Sequence, residues 1–329
     1  MAVNLIVAYV HAYVGHGRNA GAETTLHDLL KFMVKNGWEA DVIVTSLQGP
    51  GFVVDGVRVH SGQDRRTILH FIPKASVVIS HLECTDRAVI LGRKFRTPVV
   101  QLIHNDMDLT KGYAAMGADL IIFNTRWVSD SFNYNGLSCV VHPPISREDY
   151  SILDKTCSQD YVTMVNMWKN KGSDIFYDVA NLLPDVKFLA VPGGYGEQDL
   201  RDGYSNVTIA AHEMDMANIY CRSRIVLMPS RYESYGRVAV EAASCGIPSV
   251  VCPTQGLKEA LGQAGCYAET AEQFAREVKR LQHWKAYKSA SVKVSSRFNE
   301  IEQETAVELD RALFYLNGIA DTARLLRGW

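Results

Sequence analysis

No apolar run in this sequence approaches the roughly 20 residues that a membrane-spanning helix needs. Residues 1–18 hold a short apolar run with no basic leader before it and with His11 inside it, so neither a signal peptide nor a membrane anchor is expected. Excess charge of one sign is also missing: 34 Lys and Arg oppose 36 Asp and Glu, a formal net charge of -2. Nothing therefore draws the whole chain to nucleic acid or to an anionic surface, and the local run Arg93 to Arg96 reads as a solvated helix end. The seven cysteines, Cys84, Cys139, Cys157, Cys221, Cys245, Cys252 and Cys266, show neither Cys-x-x-Cys pairing nor metal-ligand spacing. The expectation is reduced core thiols in a cytoplasmic protein. Low-complexity tracts and short-period repeats are absent as well.

What is present is ordinary globular composition, 47% hydrophobic and 21% charged, over 329 residues. That length exceeds what one hydrophobic core usually supports, so two domains are expected. β-Branched apolar runs at 4–10, 39–46, 75–80, 98–104, 118–124 and 138–142 alternate with helix-period segments. This pattern reads as βαβ units around a buried parallel sheet. Residues 143–160, opening on Pro143-Pro144 with mixed charge and no periodicity, read as a linker. A second βα series follows, with strands at 161–167, 186–194, 206–211, 224–230 and 248–253, and then helical stretches over 270–283, 284–296 and 300–327. The expected fold class is α/β, two tandem Rossmann-like doubly wound domains, 1–150 and 151–300, facing a central cleft where the carboxyl ends of both sheets bind ligand.

The stretch "PSRYESYGRVAVEAASCGIPSVV" at 229–251 places Glu233 and Glu241 eight positions apart in a weakly charged run. Glu233 falls in the loop at the carboxyl end of a buried strand. Gly236 permits tight entry into a helix from about Arg237 to Ser244, stopped by Gly246 and Pro248. The free N–H groups of such a helix start suit an anionic or hydroxyl-rich ligand. Glu241 comes slightly more than two turns on, near the same face. Taken alone, the pair reads as a helix cap and a buried salt bridge. The Ala, Val and Cys around Glu241 make an unpartnered carboxylate costly there, and a ligand hydroxyl pair is the other candidate partner.

This stretch, continuing through "CPTQGLKE", resembles the donor-binding signature of retaining family-4 glycosyltransferases of the GT-B fold: Pro-Ser, two glutamates with seven residues between them, Gly-x-Pro, then Gly-x-x-Glu. The resemblance implies that Glu233 lies by the donor sugar, that Glu241 holds the ribose hydroxyls, and that Gly256 and Leu257 offer backbone N–H groups to sugar or phosphate. "NAGAETTLHDLLKF" is similar to the family's first glycine loop, which makes Gly21, Ala22 and Glu23 an acceptor or phosphate loop. "VVQLIHND" resembles the strand that ends in a histidine, so that His104 faces the reacting sugar. "YVTMVNMWKNKG" resembles the opening strand of the second domain, which makes Lys171 the cation of the leaving diphosphate. Here the chain departs from the family: Asn166 stands at the usual glycine and Met167 at the usual arginine. Lys169 or Arg237 is the candidate replacement, and Tyr235 or Trp168 could stack on base or sugar. The C-terminal helix, 301–329, is expected to pack back on the first domain.

The activity this implies is metal-independent transfer of a hexose from a UDP-, GDP- or ADP-sugar to a hydroxyl, with retention at the anomeric carbon and no further cofactor. No Asp-x-Asp metal motif stands where a donor would sit. The acceptor, whether saccharide, lipid, small metabolite or modified nucleic-acid base, is left open. A nucleotide-sugar epimerase or phosphorylase on the same fold, and a sugar-nucleotide-binding protein with weakened catalysis, are the alternatives.

Overall fold

The structure is a computed structural model that describes residues 4–15, 20–151, 157–211 and 215–327; part of the expected linker lies outside them. The chain divides into two compact units, Met1–Pro144 together with Thr305–Trp329, and Ile145–Glu304.

Unit 1 contains strands β1 (Leu5–Val10), β2 (Glu39–Val44), β3 (Phe52–Val54), β4 (Val57–Ser61), β5 (Val77–His81), β6 (Val99–Ile103), β7 (Leu120–Phe123) and β8 (Ser138–Val140). They form one sheet in the order β3-β4-β2-β1-β5-β6-β7-β8. Along β1, Ile6, Ala8 and Val10 enter the core on one face while Val7 and Tyr9 enter the core on the other. Burial on both faces is what a parallel strand covered by crossover helices requires. Those helices are α1 (Gly21–Lys35), α2 (Arg65–Phe71), α3 (Thr85–Phe95), α4 (Asp108–Ala114) and α5 (Arg126–Asp130). The antiparallel β3-β4 hairpin at the sheet edge had no counterpart in the sequence reading, because β3 is three residues long and no more than half-buried.

Unit 2 contains β9 (Tyr161–Val165), β10 (Phe188–Val191), β11 (Val207–Ile209), β12 (Ser223–Met228), β13 (Ser249–Val251) and β14 (Cys266–Tyr267), with helices α6 (Ser173–Leu182), α7 (Met216–Arg222), α8 (Arg237–Ser244), α9 (Gln255–Leu261), α10 (Ala271–Gln282) and the first part of α11 (Trp284–Arg327), whose residues from Thr305 on belong to unit 1. Its parallel sheet runs β11-β10-β9-β12-β13-β14. Strand order therefore reverses between β9 and β12, as it does between β1 and β5 in unit 1, and the crevice at such a point is where open α/β sheets bind ligands.

Two expectations are corrected. The stretches 284–296 and 300–327 form a single helix of 44 residues. No proline interrupts it, and its buried side chains recur every three or four positions: Val294, Phe298 and Ile301 in unit 2, then Leu309, Ala312, Leu316 and Ala320 in unit 1. The cysteines are not all free thiols, since Cys157 and Cys221, 64 residues apart, form a disulfide. Cys84, Cys139 and Cys266 are buried thiols, and Cys245 and Cys252 half-buried ones. The pairing removes the cysteine argument for a cytoplasmic protein. Among the described residues, no helix is long and apolar enough to cross a membrane.

Candidate functional site

Unit 2 brings Lys171 and Glu233 together from the loops that follow β9 and β12. The Lys171 Nζ donates to Glu233 Oε1 at 2.7 Å, and Ser230 Oγ donates to the same oxygen at 2.8 Å. Glu233 Oε2 has no hydrogen-bond partner among the described residues. Burial works against the charge on Lys171, but the Glu233 carboxylate and the nearby Tyr195 outweigh it and hold the ammonium above its usual pKa. Two close backbone approaches set this geometry. Gly172, at φ 89°, packs so tightly on Pro229 that a Cβ would strike the Pro229 carbonyl, and a Cβ on Gly256 would strike the backbone of Glu233 and Ser234.

Glu241 lies one helix further in, 5% exposed. Its Oε1 accepts from Arg237 Nε at 2.7 Å and from Tyr150 OH at 3.0 Å, and its Oε2 accepts from Tyr220 OH at 2.6 Å. The buried salt bridge that the bare sequence suggested for Glu241 is thus present. Glu233 does not cap α8, whose N-cap is Gly236 in left-handed geometry. Tyr150 comes from the short 3-10 turn at Arg147–Tyr150 and Tyr220 from α7; neither belonged to the motif, and no local signal marks them.

The other residues expected around the donor divide. Asn166 takes φ 68°, the left-handed backbone of the glycine it replaces. Its Oδ1 accepts from Gln198 Nε2, while Gln198 Oε1 takes the backbone N–H of Met167 and of Gly193. Met167 turns its side chain wholly into the core, 0% exposed. Lys169 is exposed; Arg237 is committed to Glu241 and Tyr150. Tyr235 is corrected: its ring packs in the core beside Val240 and Leu257 rather than offering a stacking face. Trp168 meets Tyr195 edge-on, ring centroids 5.9 Å apart, with Gly196 packed against the Trp168 ring. Gly256 and Leu257 form the first turn of α9, and the Leu257 N–H is already taken by its N-cap, Thr254 Oγ1, at 3.4 Å.

In unit 1, Gly21, Ala22 and Glu23 make the first turn of α1, where backbone N–H groups have no intrahelical acceptor. His104 follows β6 directly. Its Nε2 lies 2.9 Å from Nδ1 of His81, the last residue of β5. Burial pushes the His104 pKa down to about 4 and, with the His104 charge, that of His81 well below its usual value. Both rings are therefore neutral near pH 7. The sequence reading missed His81, which the β5-β6 pairing brings to His104. A groove of about 870 Å³ between α3 and α11 lies at the amino ends of β6 and β7, and none of the candidate residues lines it.

The family described as Glycosyl transferases group 1 matches residues 159–283. Over shorter stretches the chain is 33% identical to O-antigen chain mannosyltransferase B of Escherichia coli, covering 22% of this chain and 19% of that one. It is 34% identical to the D-inositol 3-phosphate glycosyltransferase of Mycobacterium sp. (strain KMS), covering 37% and 33%. The chain thus spans a third or less of these relatives' length. Among solved structures it resembles HepE of Anabaena in complex with UDP, with TM-score 0.73, 17% identity, and 95% and 99% of the two chains covered. It also resembles sucrose-phosphate synthase of Thermosynechococcus elongatus, with TM-score 0.74, 16% identity, and 97% and 100% covered. In fold, the two α/β units match these GT-B structures, as the sequence led us to expect.

Proposed function

We propose that the protein is a glycosyltransferase that moves a hexose from a nucleotide diphosphate sugar to an acceptor hydroxyl with retention at the anomeric carbon. The observation that carries this reading is the Lys171–Glu233–Ser230 cluster at the switch point of unit 2. Lys171 keeps its charge there and supplies the fixed cation that a departing diphosphate needs, together with first-turn N–H groups, so no metal is required. Glu233 holds Lys171 through Oε1 and leaves Oε2 for a hydroxyl of the donor sugar. Glu241, its oxygens already engaged, takes a ribose hydroxyl as one further donor beside Tyr150. Of the two candidates for the second diphosphate cation, in place of the family's arginine at Met167, we assign the role to exposed Lys169, because Arg237 is held by Glu241. In unit 1, His104 hydrogen-bonds the transferred sugar and the first turn of α1 serves the acceptor or a phosphate.

In the step proposed, the bond from the anomeric carbon to the diphosphate oxygen breaks while the acceptor oxygen bonds on the same face. The acceptor proton passes to the departing diphosphate oxygen. A panel of UDP-, GDP- and ADP-sugars tests the reading. One donor raises the thermal midpoint, since a ligand bound only by the folded state stabilises it, and with an acceptor hydroxyl releases nucleoside diphosphate. A donor converted to its epimer, or cleaved by free phosphate, would replace transfer by a rival chemistry; tight binding without turnover over many acceptors would leave a sugar-nucleotide-binding protein.

A further inference from the structure

We propose that His81 is a positioning residue for His104: it engages the Nε2 of His104 and so fixes the tautomer in which His104 presents a neutral Nδ1–H outward. The proposal rests on the functional reading of His104 above and deepens it.

Both residues are placed by the sheet. His81 ends β5, the strand beside the chain-order reversal in unit 1, and His104 follows β6, the next strand out. The rings meet edge-to-face, centroids 5.1 Å apart and planes at 70°, with Nδ1 of His81 and Nε2 of His104 at hydrogen-bond distance. The backbone of His104 is held as well, its carbonyl accepting from Asn124 Nδ2 at 3.1 Å. Two ring nitrogens remain, Nε2 of His81 and Nδ1 of His104, and neither has a partner among the described residues.

A single proton lies between the two rings, and two arrangements share it out. Were His104 the donor, His81, only 3% exposed, would carry its one N–H at Nε2, for which no acceptor stands among the described residues. Were His81 the donor, its Nε2 would instead be a bare lone pair, which proteins tolerate more readily than an orphaned N–H. The second arrangement leaves the proton of His104 on Nδ1, the nitrogen free to meet a ligand hydroxyl. Because the partner of an imidazole nitrogen sets the tautomer of the ring, His81 decides whether His104 donates or accepts. The depressed pKa values agree, since one proton more than the two of the neutral pair would make an imidazolium of a largely buried ring.

The experiment is ring-nitrogen NMR on the full chain with 15N-labelled histidine, alongside steady-state kinetics. At pH 7 we expect both rings neutral and protonated at Nδ1. His81→Phe frees His104 to exchange tautomers and lowers kcat several-fold, up to about tenfold, the size of one ordinary hydrogen bond, with the donor-induced rise in thermal midpoint unchanged. His81→Asn, whose amide N–H falls near the position of Nδ1, restores both the tautomer and most of kcat; His81→Gln, which reaches too far, restores neither. An Nε2–H tautomer of His104 in the wild type, or wild-type kcat in His81→Phe, overturns the proposal. If His81→Phe does not fold, the contrast between Asn and Gln decides. The NMR arm needs no turnover, so it stands even if no sugar donor is used and the glycosyltransferase reading fails.

Discussion

At the scale of single residues, Lys171 and Glu233 form a largely buried ion pair in which the carboxylate holds the ammonium's charge. Lys171→Ala is expected to lower kcat by about 10²-fold or more, the loss typical of one transition-state donor, as read in donor-saturated initial rates. Glu233→Ala should abolish transfer, and full activity in that variant would remove Glu233 from the chemistry. Glu241 behaves differently because Arg237, Tyr150 and Tyr220 all converge on it. Removing one partner of a buried ion pair costs about 3–5 kcal/mol, so Glu241→Ala should lower the thermal midpoint of unit 2 by roughly 6 °C or more, beyond any loss of donor affinity. The spacing of the two glutamates was legible in the sequence. Their partners were not, since Tyr150 and Tyr220 lie 91 and 21 positions from Glu241.

Among the elements, strands buried on both faces were legible almost to their ends, because continuous apolar runs between turn signals admit few alternatives. The edge hairpin and the two-residue β14 were not, since neither buries enough to leave a pattern. Helix α11 joins in one run what the sequence divided, and it is anchored in unit 1 by Glu308, whose carboxylate accepts from the backbone N–H of His142 at 2.9 Å and meets its ring Nδ1 at 2.9 Å. Glu308→Ala removes the carboxylate to which both of those buried groups bond. Urea unfolding should show unit 1 destabilised by about 1–3 kcal/mol, with little change in donor binding by unit 2. The disulfide ties Cys157, at the end of the linker, to α7. Closing a 64-residue separation is worth about 4 kcal/mol by the chain-entropy estimate. Cys157→Ser, or reduction with dithiothreitol, should therefore lower the unit 2 midpoint, and an unchanged melting curve would show that the bridge contributes nothing.

For the molecule as a whole, the buried histidine pair gives stability a pH dependence with a definite sign. His81 and His104 titrate near 6.5 in the unfolded chain; in the fold, burial holds His104 to about 4 and His81 well below its usual value. The unfolded state then binds more protons within that window. The stabilisation is complete above pH 6.5 and is lost as pH falls toward 4. Thermal melts of the wild type should show the decline, and the variant His81→Phe/His104→Phe should flatten it. Asp41 does not contribute there: burial raises its pKa, but bonds from Arg58 and His60 outweigh that and carry it below the ordinary value, so its contribution is lost only in stronger acid. By itself the sequence determined the α/β class, two doubly wound sheets and the spacing of the glutamates, because periodicity and turn chemistry are local. Tertiary structure alone decided which groups meet: Lys171 with Glu233, Tyr150 and Tyr220 with Glu241, Cys157 with Cys221, and His81 with His104. Each pair is joined by strand order and chain reversal, and contacts between residues far apart in the chain leave no periodic trace along it.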